Sequence, residues 1–149
     1  MTVETFIKNI VTQTFEKLFN LDKLKFDSIA IQQNVIEDII SLAKENYPKE
    51  FLAFLDGEIK DKKLTINGLL YQEYNATQNT ASPIFHFPGK TCYGSVHSHP
   101  GPSNTPSDAD RTFFRKIGII NIIICRPFGQ GDIKFYNHDG EEIIVDIEP

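Results

Sequence analysis

Three things are scarce in this 149-residue sequence: cysteine, positive charge and long apolar runs. The two cysteines, Cys92 and Cys125, form neither a C-x-x-C pair nor a regular framework, which argues against a secreted, disulfide-rich fold. Both lie in apolar, strand-like runs, so we interpret them as buried free thiols, although spacing alone leaves a bridge between them open. The sequence therefore predicts a protein of a reducing, cytoplasmic compartment.

The charge and hydropathy patterns exclude two further classes of partner. The formal net charge is −5 at pH 7, and no basic stripe is present that would neutralise a nucleic-acid backbone. No segment approaches the ~20 apolar residues of a membrane span. The N-terminus carries Glu4 and Lys8 among its apolar positions and does not look like a signal peptide. We expect no nucleic-acid and no membrane partner.

The length fits one domain, and the sequence contains no repeat, linker or low-complexity region. Residues 1–24 predict an amphipathic helical extension, because apolar side chains recur there at intervals of three and four. Residues 25–149 form the predicted domain. The extension either docks a partner or packs on its own domain, and we favour packing on its own domain.

Strands and helices follow one another irregularly within this domain. One helix is predicted around Val35–Ala43 and ends before Pro48, and a short one runs from Ser107 to about Lys116. A charged turn is predicted over Asp56–Lys63. The predicted strands are Phe26–Ile31, Phe51–Leu55, Leu64–Tyr71, Pro83–Phe87, Cys92–His97, Ile119–Cys125, Ile133–Tyr136 and, as an edge strand, Glu142–Ile147. Without a regular β-α-β alternation, we expect an α+β or mixed three-layer domain whose strand order stays open.

Two histidines stand at the end of an apolar strand. Alternate residues of a strand share a face, so His97 and His99 project the same way from Cα atoms roughly 6.5 Å apart, while Ser98 points to the other side. The proline-stiffened loop Pro100–Pro106 follows and leads to Asp110. Two imidazoles, one carboxylate and a water are the ligands of an open catalytic zinc site.

A simpler explanation exists for part of this pattern. Ser107 and Asp110 form an S-x-x-D capping signature at the start of a helix, which explains both residues without a metal. It leaves the two histidines unexplained and is compatible with a metal site. Asp108 is a competing carboxylate, but on a helix it points about 200° away from Asp110, so both cannot face one ion.

The order H-S-H-P at His97–Pro100, followed by Ser107 and Asp110, resembles the signature H-[ST]-H-P…S-x-x-D of the JAMM, or MPN-plus, metallopeptidases. That family also has an upstream pattern P-x-E-x-x-[AG]-x-L-x-G, and Pro48–Gly57 matches it with Glu50 at the glutamate position. The likeness extends over nearly all of Asp27–Ile147. It favours Asp110 over its competitor as the acidic ligand.

The resemblance implies a mixed three-layer α/β/α domain of cytidine-deaminase-like type, with a central curved β-sheet flanked by helices. It also implies one zinc ion, held by His97, His99 and Asp110 with water as the fourth ligand. Glu50 would be the general base and acid of amide hydrolysis. Ser107 would donate a hydrogen bond to the oxyanion.

The same resemblance suggests what is cleaved. The leading hypothesis is an isopeptidase that acts after the C-terminal tail of ubiquitin or a ubiquitin-like modifier. One alternative is a peptidase that trims a ubiquitin-like sulfur-carrier protein, and another is a non-catalytic MPN scaffold. The short passage from Asp110 to Ile119 resembles the compact core of the family, without the insertions that give linkage selectivity. His86 and His138 are interpreted as a strand and a turn residue, not as ligands.

Overall fold

The structure, a computed structural model, describes residues 26–70 and 92–149. These residues form one seven-stranded sheet and two α-helices. The strands are β1 (Ser28–Gln32), β2 (Leu52–Lys60), β3 (Lys63–Leu70), β4 (Gly94–His99), β5 (Ile120–Cys125), β6 (Ile133–Tyr136) and β7 (Asp146–Glu148). The helices are α1 (Gln33–Asn46) and α2 (Asp108–Ile117), and a 3₁₀ turn, Gln130–Asp132, precedes β6.

The strand order is β6-β5-β4-β2-β3-β1-β7, which places β4 well inside the sheet. Strands β4 and β5 are parallel, so their carboxyl ends lie at the same edge of the sheet. Strand β2 runs antiparallel to β4, so its amino end lies at that edge too. The segments that follow His99 and Cys125 and the segment that precedes Leu52 therefore meet at one place.

The two helices lie on opposite faces of the sheet. On one face, Ile122 and Ile124 of β5 pack in the main core with α1 residues such as Ile36. On the other face, Ile123 packs with Phe114 of α2. Burial on both faces explains why β5 is a continuous apolar run. The predicted three-layer α+β architecture is confirmed.

Helix α1 matches the predicted helix closely. Its apolar positions Val35, Ile36, Ile39 and Ala43 are all buried, as their spacing of one, three and four residues requires. The N–H of Tyr47 donates to the carbonyl of Ala43, and Pro48 follows, where a helical N–H is no longer possible.

The predicted turn over Asp56–Lys63 is wrong. Strand β2 continues to Lys60, and the chain reverses at Asp61 and Lys62, both of which have positive φ. The Asp-Gly pair at Gly57 marks a register shift in the β2–β3 ladder instead of a turn. A Cβ at Gly57 would lie 2.5 Å from the Thr65 carbonyl oxygen, so only glycine fits there.

The strand boundaries differ in further places, among them β4, which runs from Gly94 to His99 instead of the predicted Cys92–His97. Strand β1 begins at Ser28, two residues later than predicted, and continues to Gln32. The closing edge strand is confined to Asp146–Glu148, where it pairs with β1. The predicted strand Pro83–Phe87 and the helical extension over residues 1–24 lie outside the described residues. Across residues 26–70 and 92–149, neither helix has the length and apolarity to cross a membrane.

Candidate metal centre

Strand β4 presents two imidazoles on the face covered by α2. His97 is 7% exposed, and its ring lies 6.2 Å from the ring of Phe114. The Nε2 atoms of His97 and His99 are 3.1 Å apart. The alternation predicted for the H-x-H pair is thus present, and both rings aim at one point beyond the carboxyl end of β4.

Helix α2 brings a carboxylate to the same point. Oδ1 of Asp110 lies 3.1 Å from Nε2 of His97, and Oδ2 lies 3.1 Å from Nε2 of His99. One ligand atom from each of the three residues lies within 4.8 Å of the others. Among the described residues no other group of histidine, cysteine and acidic side chains is gathered in this way. Asp108 is exposed and stands outside the group.

A complete capping box fixes Asp110 at the start of α2. Oγ of Ser107 accepts a hydrogen bond from the N–H of Asp110 at 3.1 Å. The N–H of Ser107 donates to Oδ2 of Asp110 at 2.8 Å. The predicted cap is therefore present, and it is compatible with a metal site because it holds the carboxylate beside the imidazoles.

Two glycines allow the end of α2 to approach the start of β4. A Cβ on Gly118 would lie 2.4 Å from the Cα of Gly94, and a Cβ on Gly94 would lie 1.5 Å from the carbonyl oxygen of Ile120. No other residue fits at either position. This close approach sets the distance between the helix that carries Asp110 and the strand that carries the histidines.

The loop after β4 orients the second imidazole. Nδ1 of His99 lies 2.8 Å from the carbonyl oxygen of Ser103. The next residue, Asn104, makes two hydrogen bonds. Its backbone carbonyl accepts from the Tyr136 hydroxyl at 2.7 Å, and its side-chain amide donates to the Asp132 backbone carbonyl at 3.1 Å. Sequence reasoning missed these supports, because Tyr136 looks like an ordinary strand residue and a backbone carbonyl leaves no signal in a sequence.

The carboxylate is strongly biased towards its charged form. Burial by itself would raise the pKa of Asp110. The hydrogen bonds with the His97 side chain and with the backbone N–H of Ser107 are the main causes that outweigh burial, and they hold the pKa of Asp110 well below its ordinary range. Asp110 is an anion at every physiological pH.

The chemistry of these donors fits a divalent cation. A carbonyl oxygen only accepts, so Nδ1 of His99 carries the proton and Nε2 presents its lone pair. That lone pair faces the carboxylate of Asp110 at 3.1 Å. When His99 is neutral, these two acceptors can share a metal ion, and two nitrogens with one carboxylate are the donors of an open zinc site.

Glu50 and Ser107 flank this group without joining it. Glu50 is exposed and lies two residues before Leu52, whose partner across the β2–β4 ladder is His97. Glu50 precedes the amino end of β2, so its backbone lies at the same edge of the sheet as the two histidines. Ser107 is exposed at the amino end of α2.

Among the described residues, the one other histidine and the two cysteines lie outside the site. His138 is exposed in the turn after β6, as predicted, and pairs with Asp139. Cys92 and Cys125 are free, which confirms the free-thiol interpretation, although Cys92 is only partly buried. His86 lies outside the described residues.

The fold and the converging donors together define a class, an α+β domain with a two-histidine, one-carboxylate metal centre at the edge of its sheet. Comparison with known families identifies the family within that class. Residues 32–139 match the family of prokaryotic homologues of the JAB domain, Prok-JAB, and the chain belongs to it. The resemblance to JAMM proteins read from the two motifs is confirmed.

Individual relatives agree with this assignment. A protein of Haloferax volcanii described as a probable metalloprotease is 29% identical over 133 residues, which cover 80% of this chain and 79% of the relative. A JAB1/MPN domain protein from Archaeoglobus fulgidus superposes with a TM-score of 0.66 and 31% identity, covering 83% of this chain and 99% of that chain. A structure described as a JAMM metalloprotease-like zinc site in the proteasome and signalosome gives 0.65 and 31%, covering 82% and 99%.

Proposed function

We propose that the protein is a zinc metallopeptidase of the JAMM type. It hydrolyses the amide bond that follows the C-terminal tail of ubiquitin or a ubiquitin-like modifier. The observation that carries the proposal is the convergence of His97, His99 and Asp110 on one point at an open edge of the sheet. The Haloferax volcanii relative supports peptidase chemistry, and the JAMM zinc-site structure supports zinc as the metal.

The three donors would hold one zinc ion and leave its fourth position to water. Zinc in such a site supplies Lewis acidity and lowers the pKa of water to about 7. Asp110 contributes the one formal negative charge among the donors, and its depressed pKa keeps that charge present throughout the working range of pH. The imidazoles bind as neutral ligands, which leaves a net positive centre facing the substrate carbonyl.

Glu50 is the proposed general base and acid. Its exposure leaves its carboxylate open to water, and its place just before β2 puts it at the edge of the sheet where the three donors meet. A carboxylate there takes a proton from the attacking water and returns it to the leaving amine, so no covalent intermediate with the protein is required.

Ser107 is the proposed donor to the oxyanion. Its hydroxyl has one proton and two lone pairs, and the N–H of Asp110 uses one lone pair. The proton remains available for the oxygen of the scissile carbonyl as charge develops on it. The cap and the catalytic role are therefore compatible in one hydroxyl.

Three further features complete the proposal. The free thiols of Cys92 and Cys125 support a reducing, cytoplasmic location. The match to residues 32–139 supports a peptidase domain over residues 25–149 with residues 1–24 as an extension. The presence of all three donors disfavours a scaffold without a metal.

A cleavage panel tests the function. The zinc-loaded protein is mixed with ubiquitin and with a ubiquitin-like sulfur-carrier protein, each carrying a peptide fused to its C-terminus, with and without a chelator. We expect chelator-sensitive cleavage directly after the tail of at least one fusion. Cleavage of the sulfur-carrier fusion alone would select the processing peptidase, and no cleavage of any fusion would contradict the proposal.

The Glu50→Gln variant tests the mechanism. It should keep the zinc content of the parent protein and lose cleavage by about 100-fold or more, since general acid–base catalysis contributes on that scale. Glu45→Gln is the matched control, because Glu45 is an exposed glutamate on α1. Full activity of Glu50→Gln would remove Glu50 from the mechanism.

A further inference from the structure

The residue between the two histidines has contacts of its own on the opposite face of β4. Ser98 is 1% exposed. Its Oγ accepts a hydrogen bond from the N–H of Phe51 at 2.9 Å, and its own N–H donates to the carbonyl of Phe51 at 3.1 Å. A single serine thus binds both backbone polar groups of Phe51.

This pair lies where the β2–β4 ladder ends. The regular ladder joins Leu52–Phe54 to Ser95–His97, and continuing its register by one step places Phe51 opposite Ser98. In a regular antiparallel pair, the N–H of Phe51 would donate to the backbone carbonyl of its partner. Here the serine hydroxyl takes the place of that carbonyl, so a side chain holds the last step of the ladder.

Glu50 is the next residue outward from this attachment. The Phe51 side chain is 2% exposed and sits in the main core, while Glu50 is exposed and lies at the edge of the sheet where β4 ends. The position of the Glu50 backbone relative to β4 therefore depends on how Phe51 is joined to Ser98. His97 and His99 are covalent neighbours of the same serine.

We propose that Ser98 is a positioning residue, which sets the distance of Glu50 from the metal ligands through its hydroxyl. The inference rests on the proposed function of Glu50 as the base. The imidazoles of His97 and His99 are untouched, because alternate residues of β4 project from its other face.

Removal of the hydroxyl has a defined consequence. In Ser98→Ala, the buried N–H of Phe51 loses its acceptor, and a buried donor without a partner is costly. The segment before β2 relieves this cost by moving outward to water, which carries Glu50 with it. Displacing a catalytic group by about 1 Å lowers a rate by roughly 100-fold.

The experiment compares Ser98→Ala, Ser98→Cys and Ser98→Thr with Ser95→Ala. Ser95 is the matched control: it is a fully buried serine on the same strand, and its Oγ donates to Asn121 at 2.9 Å, away from Phe51. Ser98→Cys keeps nearly the same volume with a much weaker acceptor, so it replaces the alanine variant if that variant does not fold. Zinc content, kcat, KM and amide exchange of Phe51 are measured, with the fusion that the parent protein cleaves fastest as substrate.

We expect Ser98→Ala and Ser98→Cys to bind zinc like the parent protein and to lose kcat by roughly 10- to 100-fold with little change in KM. The Phe51 amide should exchange on the order of tenfold faster in these variants than in the parent. In Ser98→Thr, both kcat and the exchange rate of the Phe51 amide should stay close to the parent values. Ser95→Ala should keep kcat and Phe51 exchange.

A second comparison separates this inference from the proposed function. In a Glu50→Gln background, Ser98→Ala should cause no further loss, because the serine acts only through Glu50. If Glu50→Gln is inactive but Ser98→Ala keeps its kcat within a factor of about two, the inference fails and the proposed function stands. If Glu50→Gln is itself fully active, both fail. Equal losses in Ser98→Ala and Ser95→Ala would show a general effect on stability and would also overturn the inference.

Discussion

Ser107 and Asp110 hold each other by two reciprocal hydrogen bonds, and the Asp110 oxygen that accepts from the Ser107 N–H also faces Nε2 of His99. The start of α2 and one wall of the metal centre are therefore the same piece of structure. Any substitution that breaks the cap also changes the position of the Asp110 carboxylate. The capping role of Ser107 and its proposed role as donor to the oxyanion therefore have to be separated by comparing two substitutions.

Glycine and alanine at position 107 separate those roles. Alanine at an N-cap costs about 1 kcal/mol of stability, and glycine costs only a few tenths. Both remove the hydroxyl proton proposed for the oxyanion, so both should lose kcat by about 100-fold or more. Thermal melting should then distinguish Ser107→Gly from Ser107→Ala although their activities are equally low. Parent-like activity in Ser107→Gly would show that the cap alone matters.

Removal of one imidazole should empty the site. We expect His97→Ala to lose nearly all bound zinc, because two remaining donors do not hold the ion against dialysis. Elemental analysis of the dialysed protein measures this. His138→Ala is the control, since His138 is exposed in a turn and should leave zinc content unchanged. Zinc retained at the parent level in His97→Ala would place the metal elsewhere.

Removal of the Tyr136 hydroxyl should weaken zinc binding although Tyr136 is not a ligand. Tyr136→Phe keeps the ring that stacks on Phe114 and removes the hydroxyl that binds Asn104. The Ser103 carbonyl that orients His99 is then less firmly held. Loss of such outer contacts typically weakens zinc binding by about 10-fold, which competition with a chromophoric chelator measures. An unchanged affinity would show that the loop needs no anchor there.

The partly buried thiol should be slow to react. Burial, as the main cause, raises the pKa of Cys92 to about 11. Alkylation of Cys92 should therefore increase in rate up to about pH 11 in the native protein, whereas the unfolded chain follows the ordinary thiol value of 9.0. Because the folded protein favours the protonated thiol, the contribution of Cys92 to the free energy of unfolding is full below pH 9.0 and is lost as pH rises towards 11. Peptide mapping after timed alkylation isolates Cys92, and rapid labelling at pH 8 would contradict the assignment.

The convergence of His97, His99 and Asp110 was predictable because much of its geometry is local. The period of a strand places His97 and His99 on one face, and the period of a helix separates Asp108 from Asp110. Both rules need only a few neighbouring residues. The meeting of strand and helix required a third fact, the close approach at Gly94 and Gly118, which spacing alone does not contain.

The remaining features depend on pairings between distant parts of the chain. Gly57 follows an aspartate and looks like a turn, but its contact with Thr65 on the neighbouring strand makes it a bulge. The bond between Ser98 and Phe51 depends on the register of β2 against β4, and register is a property of two strands together. The strand order remained open for the same reason.

The three donors are held with unequal firmness. His97 and His99 belong to a strand that has neighbours on both sides, so they separate only when the sheet opens. Asp110 belongs to the first turn of a short helix, where local opening requires little more than the loss of the cap. Exchange of the ion is therefore expected to begin at Asp110. If an ion binds there, the rate at which the first turn of α2 opens is expected to set how long that ion stays bound.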